Sequence, residues 1–447
     1  MQEQLSSSKE IWGQPRGLAY IVFTEAWERF SFYGMQALMV LYMTDYLFTP
    51  EIVGQVAGFE QMRSVMQMLF GELSTQALIA QLFGAYIGLV YFMPVLGGLL
   101  GDRVLGRRNA VLWGALSMAV GHFLMAFESS FLAAMLALIV GSGLLKGNLA
   151  AQVGALYASD DKRRDTAYSY YSIAINVGAF LAPLACGTLG ELYGWHYGFS
   201  LAGLGMLVGI AIYLSGAKHL PVDPERKKNG QALNSAQWRT VWALLFVLIL
   251  SSLYWIGQTQ VWNVYPLWVK ARIDRELLDF TIPVTWFQSI DTLAVLLVAP
   301  ALLAFWNKQR QNDREPLDIL KIAMGCGLFA LACLVLALAE WQSAGASVAV
   351  IWPLLFHFLC AFAYLYSAPI ALSLASRHAP ESVNSMVVGA FYLAIFLGSL
   401  ISGKLGAYYQ TLSHAQFWLM HAGIAFVGAV IFFAVRNYRW PEESSGA

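Results

Sequence analysis

The feature that most constrains this chain is a repeated succession of long apolar runs. Twelve are long enough to cross a bilayer, at approximately 17–46, 77–101, 108–127, 131–157, 165–190, 197–216, 238–267, 283–306, 316–339, 347–375, 384–410 and 415–437. At 1.5 Å per residue, about 20 apolar residues in a helix match a hydrocarbon core roughly 30 Å thick. Backbone polar groups in lipid must be satisfied within the segment itself, so such runs are read as helices. The breaks fall at charged or turn-forming stretches such as "GDRVLGRR", "SDDKRRD" and "NKQRQNDRE". Composition supports the same class. Of the 447 residues, 12% are charged and 58% hydrophobic, whereas a soluble domain carries about 25% charged residues. The expected fold class is an all-α membrane protein with twelve transmembrane helices.

The basic residues set the orientation. With the N-terminus inside, most of the 27 Lys and Arg fall on inner connections and tails, among them Arg103, Arg107, Arg108, Lys162, Arg163, Arg164, Lys308 and Arg310. This fits the positive-inside rule with both termini cytoplasmic. The polar start "MQEQLSSSKE" lacks the apolar core of a cleavable signal, so the first span is expected to stay in the membrane. The longest polar inner connection, 217–237, divides the spans six and six. The expected domains are a bundle over 1–216, a cytoplasmic linker at 217–237 and a bundle with tail over 238–447. An equal division of this kind suggests two halves moving about a central site. The outer connection 47–76 is long, and apolar spacing over 52–71 predicts an extra surface helix, with a plain ordered loop as the alternative.

Net charge is zero, so nothing points to nucleic acid. Cys186, Cys326, Cys333 and Cys360 lie in apolar runs without metal-site spacing, and small buried hydrophobes are their expected role. No metal or cofactor is expected. There is no GxxxxGK[ST] for ATP, and no GxSxG or HExxH for hydrolysis, so the chain is not read as an enzyme. Uphill transport would draw on an ion gradient.

The stretch "EAWERFSFYGMQALMVLYM" (25–43) puts Glu25, Glu28 and Arg29 inside a span. Each ionised group costs roughly 2.5–3.5 kcal/mol at a helix centre. Glu25, Arg29, Phe32 and Gln36 share one helical face, flanked by Glu28. Such a set needs a water-filled cavity, the favoured reading, or mutual pairing. Lys146 in the fourth span would lose its proton unless an acid lay near, and Glu25 and Glu28 are the available acids. Tyr33, Tyr86 and Tyr91 are placed to reach a cavity, although span aromatics more often pack. Asp102 with Arg103, Arg107 and Arg108 occupies a tight inner loop, where it is expected to brace the inner gate. His122, His357 and His421 lie in spans but in no recognised motif, and the plain structural reading is preferred for them.

The opening stretch resembles the ExxERF(Y)YG signature of the proton-dependent oligopeptide transporters within the major facilitator superfamily. "GGLLGDRVLGRR" (97–108) resembles the superfamily's loop between spans two and three. "GSGLLKGNLAAQVGALY" resembles the family's fourth span, with Lys146 and Asn148 in place. "YSIAINVGAFLAP" resembles its fifth-span pattern, which implies that Asn176 belongs to the site. "YGWHYGFSLAGLGM" and "FTIPVTWFQSID" are also similar. The resemblance covers nearly the whole chain. It implies the major facilitator fold with two six-helix bundles. It also implies proton-coupled symport of di- and tripeptides by alternating access across a bacterial inner membrane, by a monomer whose partners are small peptide, protons and lipid. Glu25, Glu28, Arg29 and Lys146 are then a switchable charge network.

The departures from the family's pattern matter as much. Where peptide-transporting members carry an arginine for the peptide carboxylate, this chain has Gln36. Where the seventh span usually has a glutamate linked to proton coupling, "YWIGQTQ" has Thr259, followed by Gln260, an expected substrate contact. Where the tenth span has a glutamate facing the peptide amine, "AYLYSAPIALS" has Tyr364. One acid is gained: "FQSID" puts Asp291 where the family usually has asparagine. Asp291 is expected either to bind the substrate amine or to carry a proton. Substrate is expected to touch Tyr33, Gln36, Tyr91, Asn176, Gln260, Asp291 and Tyr364. The lost groups keep open a proton-coupled transporter of a non-peptide metabolite or anion. A non-transporting sensor or intramembrane enzyme fits less well, and counterflow in liposomes separates them.

Overall fold

The computed structural model describes residues 10–158, 161–222, 233–380 and 383–438. Sixteen α-helices account for most of them: α1 Arg16–Tyr42, α2 Phe59–Phe70, α3 Thr75–Leu100, α4 Arg107–Leu124, α5 Phe131–Ala155, α6 Arg163–Ala182, α7 Thr188–Tyr193, α8 Trp195–Ser215, α9 Ser235–Leu250, α10 Ser252–Gln260, α11 Tyr265–Arg272, α12 Val284–Gln311, α13 Asp318–Ser343, α14 Ile351–His378, α15 Asn384–Gly406 and α16 His414–Ala434. Ten helical segments are long and apolar enough by themselves to cross a membrane. The other two of the twelve spans are α1 and α4. Their composition is diluted for identifiable reasons: α1 carries Glu25, Glu28 and Arg29, and α4 has only 18 residues and opens with Arg107 and Arg108. The helix order carries the twelve spans expected from the sequence, with α2 as the extra helix.

Several boundaries differ locally. The extra helix covers Phe59–Phe70, not 52–71. Ile52, Val53 and Val56 precede it in a short 3-10 turn and its flanks, and Gly58 turns the chain into it at φ +79°, a conformation open to glycine. The seventh span is three pieces, α9, α10 and α11. Pro266 sits in the first turn of α11, where the missing N–H interrupts the helical ladder at no extra cost. A two-stranded ribbon, Glu276–Leu277 with Phe280–Thr281, lies between α11 and α12.

The chain forms two compact units, 1–63 with 92–227 and 64–91 with 228–447. In the first, α1 packs against α6 and α8, and α4 against α5 and α8. In the second, α13 packs against α14 and α16, α12 against α14, and α10 against α15. The bundle boundary read from sequence at 217–237 puts 64–91 with the first bundle, whereas by contacts this segment groups with the second. Small residues explain the grouping. Gly84 leaves so little room that an added Cβ would strike the Ser399 carbonyl, and Asn263 Nδ2 donates to Ala80 O at 3.0 Å. Much of the linker, 223–232, lies outside the described residues, as do the tails 1–9 and 439–447.

Candidate functional site

In the first unit, α1 gathers the charges. Arg29 Nε lies 2.8 Å from Glu25 Oε1 and 2.6 Å from Glu28 Oε2. Glu25 is 1% exposed and Glu28 0%. Lys146 on α5 is half-buried, with Nζ 3.8 Å from the Phe32 ring centroid and within electrostatic reach of both carboxylates. Two acids and two bases sum to zero, which is how α1 and α5 can hold four charges between them without a net charge. The acids are paired with Arg29, one of the two environments expected for them. Sequence reasoning missed Tyr171 on α6, which lies within electrostatic reach of Glu25, Glu28 and Arg29. Its place five residues before Asn176 was the available signal.

The other first-unit residues are less concentrated. Tyr33 is half-buried, packed edge-on to Phe32 and within electrostatic reach of Arg29. Gln36 is buried, and its Oε1 has no hydrogen-bond partner among the described residues. Asn176 donates to Ser172 O on its own helix at 2.8 Å. At the α3–α4 turn, Arg107 Nε donates to Asp102 Oδ1 at 2.9 Å. Arg108 instead reaches the carbonyls of Leu220 and Pro221, and Arg103 is exposed. Gly97 is required here, because a Cβ would collide with the Gly143 carbonyl of α5. The same close approach lets Asn148 Nδ2 donate to Gly97 O at 2.9 Å.

In the second unit, Asp291 sits on α12 with its side chain 15% exposed. Its Oδ1 lies 3.3 Å from His357 Nδ1 on α14, and His357 Nε2 is 2.9 Å from the Tyr265 hydroxyl on α11. Tyr364 is 37% exposed and shares an electrostatic neighbourhood with Tyr91, Asp291 and Tyr392. Tyr91 stacks on Tyr392 at 6.3 Å. Thr259 is held by its own helix and lies 3.2 Å from Ser399 Oγ. Gln260 is fully buried, and its Nε2 lies 2.9 Å from Ser402 O and 3.2 Å from His421 Nε2, so it ties α10 to α15 and α16. All four cysteines are buried and free, and among the described residues no group of His, Cys, Asp and Glu is arranged to hold a metal.

Twelve spans, a charge-balanced cluster on the first and fourth, and a third acid in the eighth define a polytopic transporter. Residues 21–403 match the model of the Major Facilitator Superfamily, and the chain belongs to that superfamily. An uncharacterized transporter of Bacillus subtilis (strain 168), YclF, is 27% identical over 92% of this chain and 91% of its own length. A di-/tripeptide transporter of Lactococcus lactis subsp. cremoris is 25% identical over 98% of each. The crystal structure of a peptide transporter, POT, in complex with sulfate superposes with a TM-score of 0.83 at 26% identity, over 97% of this chain and 98% of that one. Within the superfamily, the last two of these likenesses are to peptide transporters.

Proposed function

We propose that this protein is a proton-coupled symporter that imports di- and tripeptides, or closely related small zwitterions, by alternating access. It acts as a monomer in a bacterial inner membrane, with both termini in the cytoplasm. The observation that carries the reading is the buried, charge-balanced set Glu25, Glu28, Arg29 and Lys146. Protonating either carboxylate changes the sum from zero to +1 and frees Arg29 or Lys146 from a partner. A buried charge that loses its partner destabilises its surroundings by about 3–5 kcal/mol, enough to bias an equilibrium between two conformations by orders of magnitude. The peptide assignment is supported by the relatives, one of which is a di-/tripeptide transporter. In the first unit Tyr33, Gln36 and Asn176, and in the second Tyr91 and Tyr364, are proposed to touch substrate, while Asp291 either meets the substrate amine or carries a proton. Asp102, Arg103 and Arg107 are proposed to brace the inner end of the first unit.

The test is uptake of labelled dipeptide into liposomes holding the purified protein, with and without an inward proton gradient. Uptake should require the gradient, and Glu25→Gln should lose accumulation far more than it loses counterflow, because exchange needs no net proton movement. Gradient-driven accumulation by Glu25→Gln at the wild-type level would remove Glu25 from the coupling scheme. Uptake of other metabolites in preference to dipeptides would move the substrate class.

A further inference from the structure

Three histidines lie within the spans at 0% exposure: His122, His357 and His421. Their ring nitrogens meet different partners, and that difference is informative. Neither nitrogen of His122 has a hydrogen-bond partner among the described residues. His421 Nδ1 donates to Phe417 O at 2.9 Å, and Gln260 Nε2 points at His421 Nε2 from 3.2 Å. The Gln260 amide is oriented by Ser402 O, so His421 Nε2 must accept. A proton placed there would set two donors face to face. Both sites therefore suit a neutral ring alone.

His357 differs. Its Nδ1 faces a carboxylate, Asp291 Oδ1, at 3.3 Å, and its Nε2 faces a hydroxyl, Tyr265, at 2.9 Å. With the ring neutral, Nδ1–H donates to Asp291 and Nε2 accepts from the Tyr265 O–H. With the ring protonated, Nδ1–H still donates to Asp291, and Nε2–H donates to the Tyr265 oxygen. A hydroxyl both donates and accepts, so a rotation of one O–H bond lets both ring nitrogens keep a partner in either state. One added proton takes the pair from net −1 to neutral. Asp291, part-exposed where His357 is not, is the side from which a proton can arrive. The titratable groups around the pair are Tyr254, Cys360 and Tyr364, each within electrostatic reach of Asp291. Beyond the Trp268 ring, stacked 5.8 Å from Tyr265, lie Glu340 and Arg272, paired with each other at 3.0 Å. Among the described residues, His357 is the one basic side chain paired with Asp291.

We propose that Asp291, His357 and Tyr265 form a proton-holding site of the second unit, in which His357 binds the proton, Asp291 is its counter-ion and Tyr265 is the positioning residue that partners Nε2 in both states. This deepens the proton-coupled reading above, on which it rests for its role in transport, by naming a proton site outside the α1 cluster.

The decisive experiment is ¹⁵N NMR of histidine-labelled full-length protein in nanodiscs from about pH 5 to 8.5, with His357 assigned by the signal lost in His357→Gln. His357 should convert from one tautomer to the doubly protonated ring within that window. Tyr265→Phe removes the acceptor that the protonated ring needs. The midpoint should then fall by about one pH unit or more, the equivalent of one buried hydrogen bond, and Asp291→Asn should lower it as well. His122→Leu, which removes two unbonded nitrogens, should leave both titration and transport in place. A His357 signal fixed in one tautomer throughout, or a midpoint indifferent to both Tyr265→Phe and Asp291→Asn, overturns the site. In liposomes, Tyr265→Phe and His357→Gln should displace the pH profile of dipeptide uptake. If wild-type protein takes up no dipeptide, the peptide reading fails while the titration still judges His357; if wild-type uptake is proton-driven and both variants keep its pH profile, the site fails and the transporter reading stands.

Discussion

A carboxylate inside a span is accommodated in two ways in this molecule. On α1, Glu25 and Glu28 are held by Arg29, a group that stays charged at any physiological pH, with Lys146 completing a sum of zero. On α12, Asp291 is held by His357, an imidazole with a neutral and a charged form, with Tyr265 behind it. In the first arrangement the base is permanent, so only the acids or Lys146 can change. In the second, the base itself can change. The first should therefore be stiff and expensive to break, the second soft and responsive to pH.

The largest effect should follow from removing the permanent base. Arg29→Ala leaves two acids at 1% and 0% exposure without their partner, which should cost about 3–5 kcal/mol, read as a large fall in the thermal midpoint in detergent. Adding Glu28→Gln to that variant should recover much of the loss, because one buried charge is then gone. The equivalent change in the second unit, Asp291→Asn, should cost less than about 1.5 kcal/mol, since an amide oxygen still accepts from His357. Equal losses for Arg29→Ala and Asp291→Asn would erase the contrast between the two arrangements.

Asp291→Asn carries the second-largest expectation, in function. Loss of the counter-ion should flatten the pH dependence of net uptake while affinity for dipeptide changes little. If Asp291 instead serves the substrate amine, the loss of a charge-assisted hydrogen bond should weaken binding by roughly 1.5–3 kcal/mol, about ten- to a hundredfold, with the pH profile retained. Measuring affinity and pH profile on the same variant separates the two.

The spans were legible because a helix in lipid must be long, apolar and self-satisfied. The fifth helix, Phe131–Ala155, lies within the run read at 131–157, and the α1 charges announce themselves by their cost. The break of the seventh span into α9, α10 and α11 was partly legible at Pro266. The role of Gln260 was not, because the turn after α10 and the packing of α15 and α16 decide which way it points. The pairing of Asp291 with His357, 66 positions apart, was equally out of reach. Asp291 stood out as a departure from a family pattern, whereas His357 sat in an ordinary apolar run and acquired its meaning only from α11 and α12.

The smallest effect concerns a carboxylate paired outside the spans, which serves as the solvated limit of the comparison. Glu315 lies between α12 and α13, with its Oε2 2.7 Å from Arg310 Nε and its Oε1 2.6 Å from Lys321 Nζ. It lines a cavity of about 610 Å³ with Trp306, Asp318 and Arg377. The hydrogen bonds from Arg310 and Lys321 hold its carboxyl down to about 2 from the usual 4.5. A depressed carboxylate contributes stability that is complete above its unfolded pKa and is lost as pH falls through the folded one. The contribution should thus be intact above about pH 4.5 and gone near pH 2. Arg310 is 69% exposed on its side chain, so that half of the pair is screened by solvent and contributes little. Lys321, buried with Nζ 4.8 Å from the Trp306 ring centroid, keeps the ring contact when its acid is lost. Glu315→Gln should therefore lower the thermal midpoint slightly at pH 7, and the gap to wild type should close as pH falls from about 4.5 to 2. A gap as large as that of Arg29→Ala would mean that solvent does not soften the pair, and that burial is not what separates the two ends of the comparison.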